Sequence, residues 1–130
     1  MTKKEFILST IEKMGYAPEV DSDGDIEFVY QMKTLYVMIG KDDEQYVSVV
    51  FPHFYEMDEE EDTKALVACN KVTRELKMVK VFVEPTFQSV SAACEFYYIN
   101  EEALEQNIEH SLQLLGMIRT VFKNYMDDLS

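Results

Sequence analysis

The sequence is short of the residues that most often carry chemistry. It has no tryptophan, two histidines, two cysteines, four glycines and three prolines in 130 residues. So few glycines leave no phosphate-cradling loop, and none stands in a G-x-S-x-G nucleophile elbow. His53 and His110 lie far apart and fall in no H-x-x-x-H pair, so the histidine spacing of a zinc site is missing. Cys69 and Cys94 sit at apolar positions and read as reduced, buried thiols, which suits a cytoplasmic protein better than a secreted one. No apolar run is long enough to cross a bilayer. The N-terminal MTKKEFILSTIEKMGY breaks its short apolar patch with Ser9, Thr10, Glu12 and Lys13, as a first helix does and a signal peptide does not. The expectation is a cytoplasmic protein with no cofactor, no metal, no catalytic residue and no membrane partner.

Positive charge is scarce too. Twelve Lys and Arg stand against 25 Asp and Glu, a net charge of −13. That field repels phosphate backbones, and no basic patch stands out to offset it, so nucleic acid is not the expected partner. The acidity serves solubility first and a preference for basic partners second.

What is present is periodic. Phe6, Ile7, Ile11 and Met14 recur at helical spacing from about Lys3 to Met14, and Gly15 follows as a stop. Tyr16 to Val20, with Pro18, reads as a connector. Three alternating runs follow, around Ile26 to Tyr30, Leu35 to Ile39 and Val47 to Phe51, joined so tightly that neighbours must be antiparallel. Pro52 lacks an N–H and is expected to end the third strand. A second helix is expected from about Asp58 to Leu76, with Ala65, Cys69, Val72 and Leu76 inward. Strands in KMVKVFVEP and SVSAACEFYYI come next, then a long helix from the N-cap Asn100 to about Tyr125 or beyond. The prediction is one domain, residues 1–130, of α+β class. Its antiparallel five-stranded sheet has the order α-β-β-β-α-β-β-α, with helices packed on the sheet.

Two acidic stretches invite a metal reading. In DSDGDIEFVY, from Asp21, the glycine arrives fourth where a calcium loop needs it sixth, and the twelfth place is Met32 rather than Glu. The stretch is a turn in which Gly24 takes positive φ and Asp21 and Asp23 cap. Glu59 to Asp62 opens the second helix, with Asp58 and Glu61 spaced as a capping box. Asn70, at the edge of that helix's apolar face, is expected to bond a neighbouring backbone or strand end, with a ligand role second.

Several phrases carry a resemblance. MGYAPEVDSDGDIEFVYQMKTLYVMI, FPHFYEMDEEE and ALVACNKVTRELKMVKVFV are similar to the YbjN-like bacterial family, also called a sensory-transduction-regulator domain. The matching places are Gly15-Tyr16, Asp23-Gly24-Asp25, Pro52, Asn70, Thr73 and Lys77 to Val81, over about Phe6 to Tyr98. The resemblance implies the fold of type III secretion chaperones, which are small acidic proteins, often dimeric, that hold partner polypeptides. It supplies no catalytic residue to transfer.

Two surfaces are candidates for contact. If Leu35, Val37, Ile39, Val47, Val49, Val79, Val81 and Val83 face the helices, the pleat puts Tyr36, Met38, Tyr46, Met78, Phe82 and Tyr97 on the other face. Large amphipathic side chains of this kind suit a surface that receives another chain, and equally a second packing layer. On the last helix, Leu114, Met117, Val121 and Tyr125 widen the apolar arc beyond what one sheet needs, as a homodimer or partner-helix face would. Gly116 allows a close approach or a bend. The functional expectation is a non-enzymatic cytoplasmic interaction module, chaperone-like or regulatory, binding a polypeptide. The alternatives are a small-molecule sensor or cryptic enzyme with a pocket near His53 or Asn70, and a purely structural oligomer.

Overall fold

The computed structural model describes all residues, Met1–Ser130. The elements are α1 (Lys3–Lys13), β1 (Glu19–Val20), β2 (Ile26–Tyr30), β3 (Lys33–Met38), β4 (Tyr46–Glu56), α2 (Asp62–Glu75), β5 (Val79–Val83), β6 (Ser89–Tyr97) and α3 (Glu101–Asp128). The class is α+β with an antiparallel sheet, as expected, but the sheet has six strands in the order β1-β2-β3-β4-β6-β5. The extra strand is the expected connector: Glu19 and Val20 pair with Glu27 and Ile26. Two residues are too few to show an alternation.

Side-chain direction follows from register. One row across the sheet reads Val20, Ile26, Val37, Val49, Cys94, Val79, and the next reads Glu19, Glu27, Tyr36, Val50, Ala93, Lys80. The first row and its alternates face the helices. Leu35, Val37, Ile39, Val47, Val49, Val79 and Val81 are buried there, with Val83 half-buried. The buried ones belong, with Ile7 and Ile11 of α1, Ala65, Cys69 and Val72 of α2, and a stripe from Leu104 to Met126 of α3, to one core cluster of 29 buried residues, against which Val83 packs. Burying a single such aliphatic side chain stabilises by about 1.5–3 kcal/mol, so this continuous cluster dominates the fold's stability.

The ends of the elements behave as their residues require. Thr2 caps α1 by accepting from the Glu5 N–H at 3.1 Å, and Asn100 caps α3 by accepting from the Ala103 N–H at 2.8 Å. The Asp21 carboxylate accepts from the Asp23 and Asp25 N–H groups at 2.9 and 3.0 Å, and Gly24 has φ +86°, so DSDGD is the expected turn, though Asp21 caps it without the Asp23 side chain. The second helix starts later than expected, at Asp62. Only half of the capping box forms: the Glu61 carboxylate accepts from the Asp58 N–H at 2.9 Å, but Glu61 is itself the N-cap and its side chain makes no cap bond. The carboxylate is instead shared with the Tyr55 hydroxyl, at 2.9 and 3.0 Å, which holds it against β4.

Pro52 does not end the strand. β4 continues to Glu56 through a register shift between Phe51 and Tyr55, one of the few places a sheet tolerates proline. His53 takes φ +52° in this bulge. The irregularity lets Phe54 and Tyr55 both reach Phe122 of α3, at ring-centroid distances of 5.5 and 5.0 Å. Gly116 serves close approach: a Cβ there would lie 3.1 Å from the Tyr30 ring.

Candidate functional site

The face of the sheet away from the core is where most of the proposed contact residues fall. By register, Tyr36, Met38, Tyr46, Phe82 and Tyr97 share it with Val29, Val50, Lys80 and Glu95. Met38 is 44% and Tyr97 76% exposed, while Tyr36, Tyr46 and Phe82 are half-buried. None of these belongs to the core cluster beneath. Six strands spaced about 4.8 Å apart make the face about 24 Å across.

A polar chain fixes part of this face. The Tyr46 hydroxyl donates to Glu95 Oε2 at 2.7 Å, and the Lys80 ammonium lies 2.5 Å from Glu95 Oε1. Lys80 also stands 5.6 Å from the Phe82 ring centroid, and the Tyr46 and Tyr97 rings pack with centroids 5.0 Å apart, tilted by 55°. The bond to the Glu95 carboxylate, with burial second, pushes the Tyr46 hydroxyl up to about 12. The Lys80 ammonium holds Glu95 below the usual carboxylate range, against the opposing pull of burial. Further along the face, burial and then the Glu27 carboxylate raise Tyr36. The face therefore carries Glu19, Glu27, Glu56 and Glu95 against one ammonium, Lys80, which is already engaged.

Behind its corner lies a residue that sequence reasoning passed over. Lys3 is buried, and its ammonium donates to the carbonyls of Lys41, Glu44 and Tyr46 at 2.7, 2.8 and 3.1 Å. The Lys3 N–H also donates to the Asp42 carboxylate at 3.1 Å. Burial lowers the Lys3 pKa, and Glu44, Asp42 and Asp43 oppose the shift. This amine closes the β3–β4 loop beneath Tyr46.

Met78 is the exception among the sheet-face residues. It precedes β5 with φ +71°, which breaks the alternation and turns its side chain to the helix side. There it lines a concavity of about 360 Å³ with Lys77, His110, Gln113, Leu114 and Met117. The seam between α2 and α3 continues from this point. Val121 and Tyr125 line a second concavity of about 270 Å³ with Glu75, Asn124 and Asp128. Tyr125 borders a third, of about 470 Å³, with Val67, Asn70, Lys71, Arg74 and Glu75. All four residues proposed for the helix face, Leu114, Met117, Val121 and Tyr125, thus lie along one seam. Asn70 departs from expectation: it is exposed at the seam and makes no side-chain hydrogen bond to the protein, because helix α2 turns it away from β5.

The residues considered for catalysis are dispersed. Both cysteines are buried free thiols, pushed up by burial to about 12 at Cys69 and about 11 at Cys94, so the nucleophilic thiolate is disfavoured. No three His, Cys, Asp or Glu side chains converge as a metal ligand set. His110 lies on the seam, far in the chain from His53. His53, exposed at the bulge, brings its Nδ1 to 2.7 Å from Ser89 Oγ, a hydroxyl–imidazole pair that the sequence did not suggest. Its N–H donates to Ser91 Oγ at 2.9 Å, and that hydroxyl donates to Glu84 Oε1 at 2.6 Å. The carboxylate is thus bonded to the second serine rather than to the imidazole. The group as a whole satisfies the backbone and side chains of the bulge.

Helix α2 also guards the sheet's edge. The Val81 N–H of edge strand β5 donates to Thr73 Oγ1 at 2.9 Å, and the same hydroxyl donates to the Val81 carbonyl at 3.4 Å. An edge strand's free backbone groups invite pairing with another chain, and Thr73 occupies those of Val81 at the middle of β5.

No helix is long and apolar enough to cross a membrane. No family model matches the sequence, and no curated protein matches it. Among solved structures the chain is similar to YbjN, a candidate transcription regulator from E. coli, with a TM-score of 0.64 over 91% of this chain and 87% of that one. The two are 9% identical, so the likeness is one of architecture: the chain has a YbjN-like α+β fold.

Proposed function

We propose that this protein is a non-enzymatic interaction module that receives a polypeptide on the outer face of its sheet. The observation that carries the reading is that face itself: Tyr36, Met38, Tyr46, Phe82 and Tyr97 stand on it outside the core cluster. Large exposed apolar patches on soluble domains mark contact sites, and tyrosine and methionine are favoured in them. The Tyr46–Glu95–Lys80 chain supports it by holding rings in place before a partner arrives, which lowers the ordering cost of association. The neighbour's candidate role in transcription, carried to a chain of net charge −13, would act through protein contact rather than through phosphates.

The test is a pull-down from cell extract with the wild type and a Tyr36→Ser, Phe82→Ser variant, each checked by circular dichroism. Partners captured by the wild type are expected to be lost from the variant. Identical partner profiles from two folded proteins would remove the sheet face from the account. Covalent labelling of Ser89 by a fluorophosphonate would overturn the non-enzymatic reading, since it would show that the His53 imidazole activates that hydroxyl.

A further inference from the structure

The seam between α2 and α3 carries a second site, independent of the sheet face. The helices run antiparallel: the Lys64 ammonium bonds Ser130 Oγ at one end, and Lys77 and Met78 meet Leu114 and Met117 at the other. On the α3 side, Leu114, Met117, Val121 and Tyr125 follow one another at steps of three, four and four, a continuous apolar ridge about 16 Å long. Met117 is 45% exposed on it.

The α2 side is cationic. Lys71, Arg74 and Lys77 fall within seven residues, in a chain with only 12 Lys and Arg against 25 acids. None of the three is in an ion pair, since the single one in the protein joins Lys80 to Glu95. Lys71 instead stands 5.8 Å from the Tyr125 ring centroid, directly over the seam. The local acids are Glu75 and Asp128. Favourable interaction with the α2 dipole accounts for Arg74 and Lys77, which lie near its C-terminus. It does not account for Lys71, or for the exposed methionine beside this charge.

We propose that the seam is a groove for an acidic amphipathic helix of a partner polypeptide. Its apolar residues, at i, i+3 and i+7, pack between Leu114, Met117 and Val121, and its carboxylates lie along one flank against Lys71, Arg74 and Lys77. The succession of concavities along the seam and the three-to-four-residue apolar spacing of its ridge match a helix of about three turns. Charge selects the partner's sign: Lys71, Arg74 and Lys77 stand along the seam against Glu75 and Asp128, a local excess of cations in a chain that elsewhere carries more acids than bases. A second copy of the chain fits poorly, because two copies of net charge −13 repel and stacking seam on seam opposes like cationic ridges.

The probes are two fluorescein-labelled helical peptides with identical leucine positions, one with glutamates along the flank and one with lysines there, read by anisotropy. The glutamate peptide is expected to bind and the lysine peptide to bind at least tenfold more weakly. Lys71→Gln with Arg74→Gln, both at exposed positions, should weaken the glutamate peptide about tenfold, as should added salt. Met117→Ser should weaken it with little change in the salt dependence, and Tyr36→Ser should leave it unchanged. Equal binding of the two peptides, no binding of the glutamate peptide, or loss of binding in Tyr36→Ser alone would overturn the proposal. So would light scattering that shows a dimer which Met117→Arg converts to monomer, because the seam would then be filled by a second copy. Loss of the pull-down partners in the sheet-face variant bears on the other surface only, so the two readings fail separately.

Discussion

The molecule has two apolar surfaces outside its core, and they are dressed oppositely. On the outer sheet face the rings are held by a bonded chain through Tyr46, Glu95 and Lys80, and the surrounding charge is acidic. Along the α2–α3 seam the apolar side chains include two methionines, Met78 and Met117, and the neighbouring cations are unpaired. A fixed, ringed surface gives shape and low ordering cost, whereas a methionine-lined groove adapts to its occupant. If both proposed surfaces bind, one small domain presents two recognition chemistries, kept apart in space. Strand β5 is the boundary: it carries Lys80 and Phe82 on the sheet face and follows directly from Lys77 and Met78 at the seam.

The largest expected effect breaks the sheet face and spares the seam. Lys3→Met removes the ammonium that serves three carbonyls of the β3–β4 loop and leaves them without a charged donor. Hydrogen bonds to charged groups contribute about 1.5–3 kcal/mol each in favourable settings and are not additive, so a loss of about 3 kcal/mol is expected by urea denaturation. Amide exchange should quicken across residues 41–46, while Leu114 to Tyr125 keep their protection. Uniform acceleration over both regions would show that the two surfaces are not separable.

A smaller effect should come from removing the boundary's guard. Thr73→Val is nearly isosteric and leaves the Val81 N–H and carbonyl without the hydroxyl they now share. The expected cost is about 1–2 kcal/mol for the unpaired donor. The more telling consequence is association through the exposed β5 edge, visible as a concentration-dependent mass in light scattering. A strictly monomeric, equally stable variant would show that the edge needs no guard.

Much of this arrangement was legible in the sequence, and the failures have physical causes. Alternation from Ile26 to Tyr30 and from Val47 to Phe51 gave strand and face together, because a pleat has period two and one face is buried. Asn100 marked the start of α3, because an N-cap is a local signal that needs no knowledge of the fold. β1 was invisible because Glu19 and Val20 show no period. Met78 was placed on the wrong face because its positive φ flips the side chain one step before the strand begins, and nothing local announces that. Pro52 looked like an end because its missing N–H does end an ordinary ladder, whereas a bulge needs no donor there. Lys3, Glu95 and the Lys71–Arg74–Lys77 ridge were missed because their meaning depends on residues distant in the chain: a loop some 40 positions on, a strand order, and a helix folded back alongside.

The smallest expected effect sharpens the comparison by pH. Glu95 titrates below the usual carboxylate range because Lys80 and Tyr46 bind its charged form. A carboxyl whose folded pKa is depressed binds protons more readily when unfolded. Its contribution is therefore present above the ordinary carboxylate pKa near 4.5 and is lost as pH falls through the lower folded value. Lys80 is half exposed, with 52% of its side chain accessible, so solvent screens the pair and the contribution is expected to stay below about 1 kcal/mol. Glu95→Gln should remove that increment at neutral pH and flatten the acid limb of the stability curve between about pH 5 and the folded pKa. The Tyr46 ring, freed from its carboxylate, should also ionise at lower pH than about 12, which ultraviolet titration reads directly. The seam has no ion pair to lose on acidification, so glutamate-peptide binding at neutral pH should be the same in Glu95→Gln as in the wild type. If the variant weakens that binding, the two surfaces are coupled through β5 and the division between them fails.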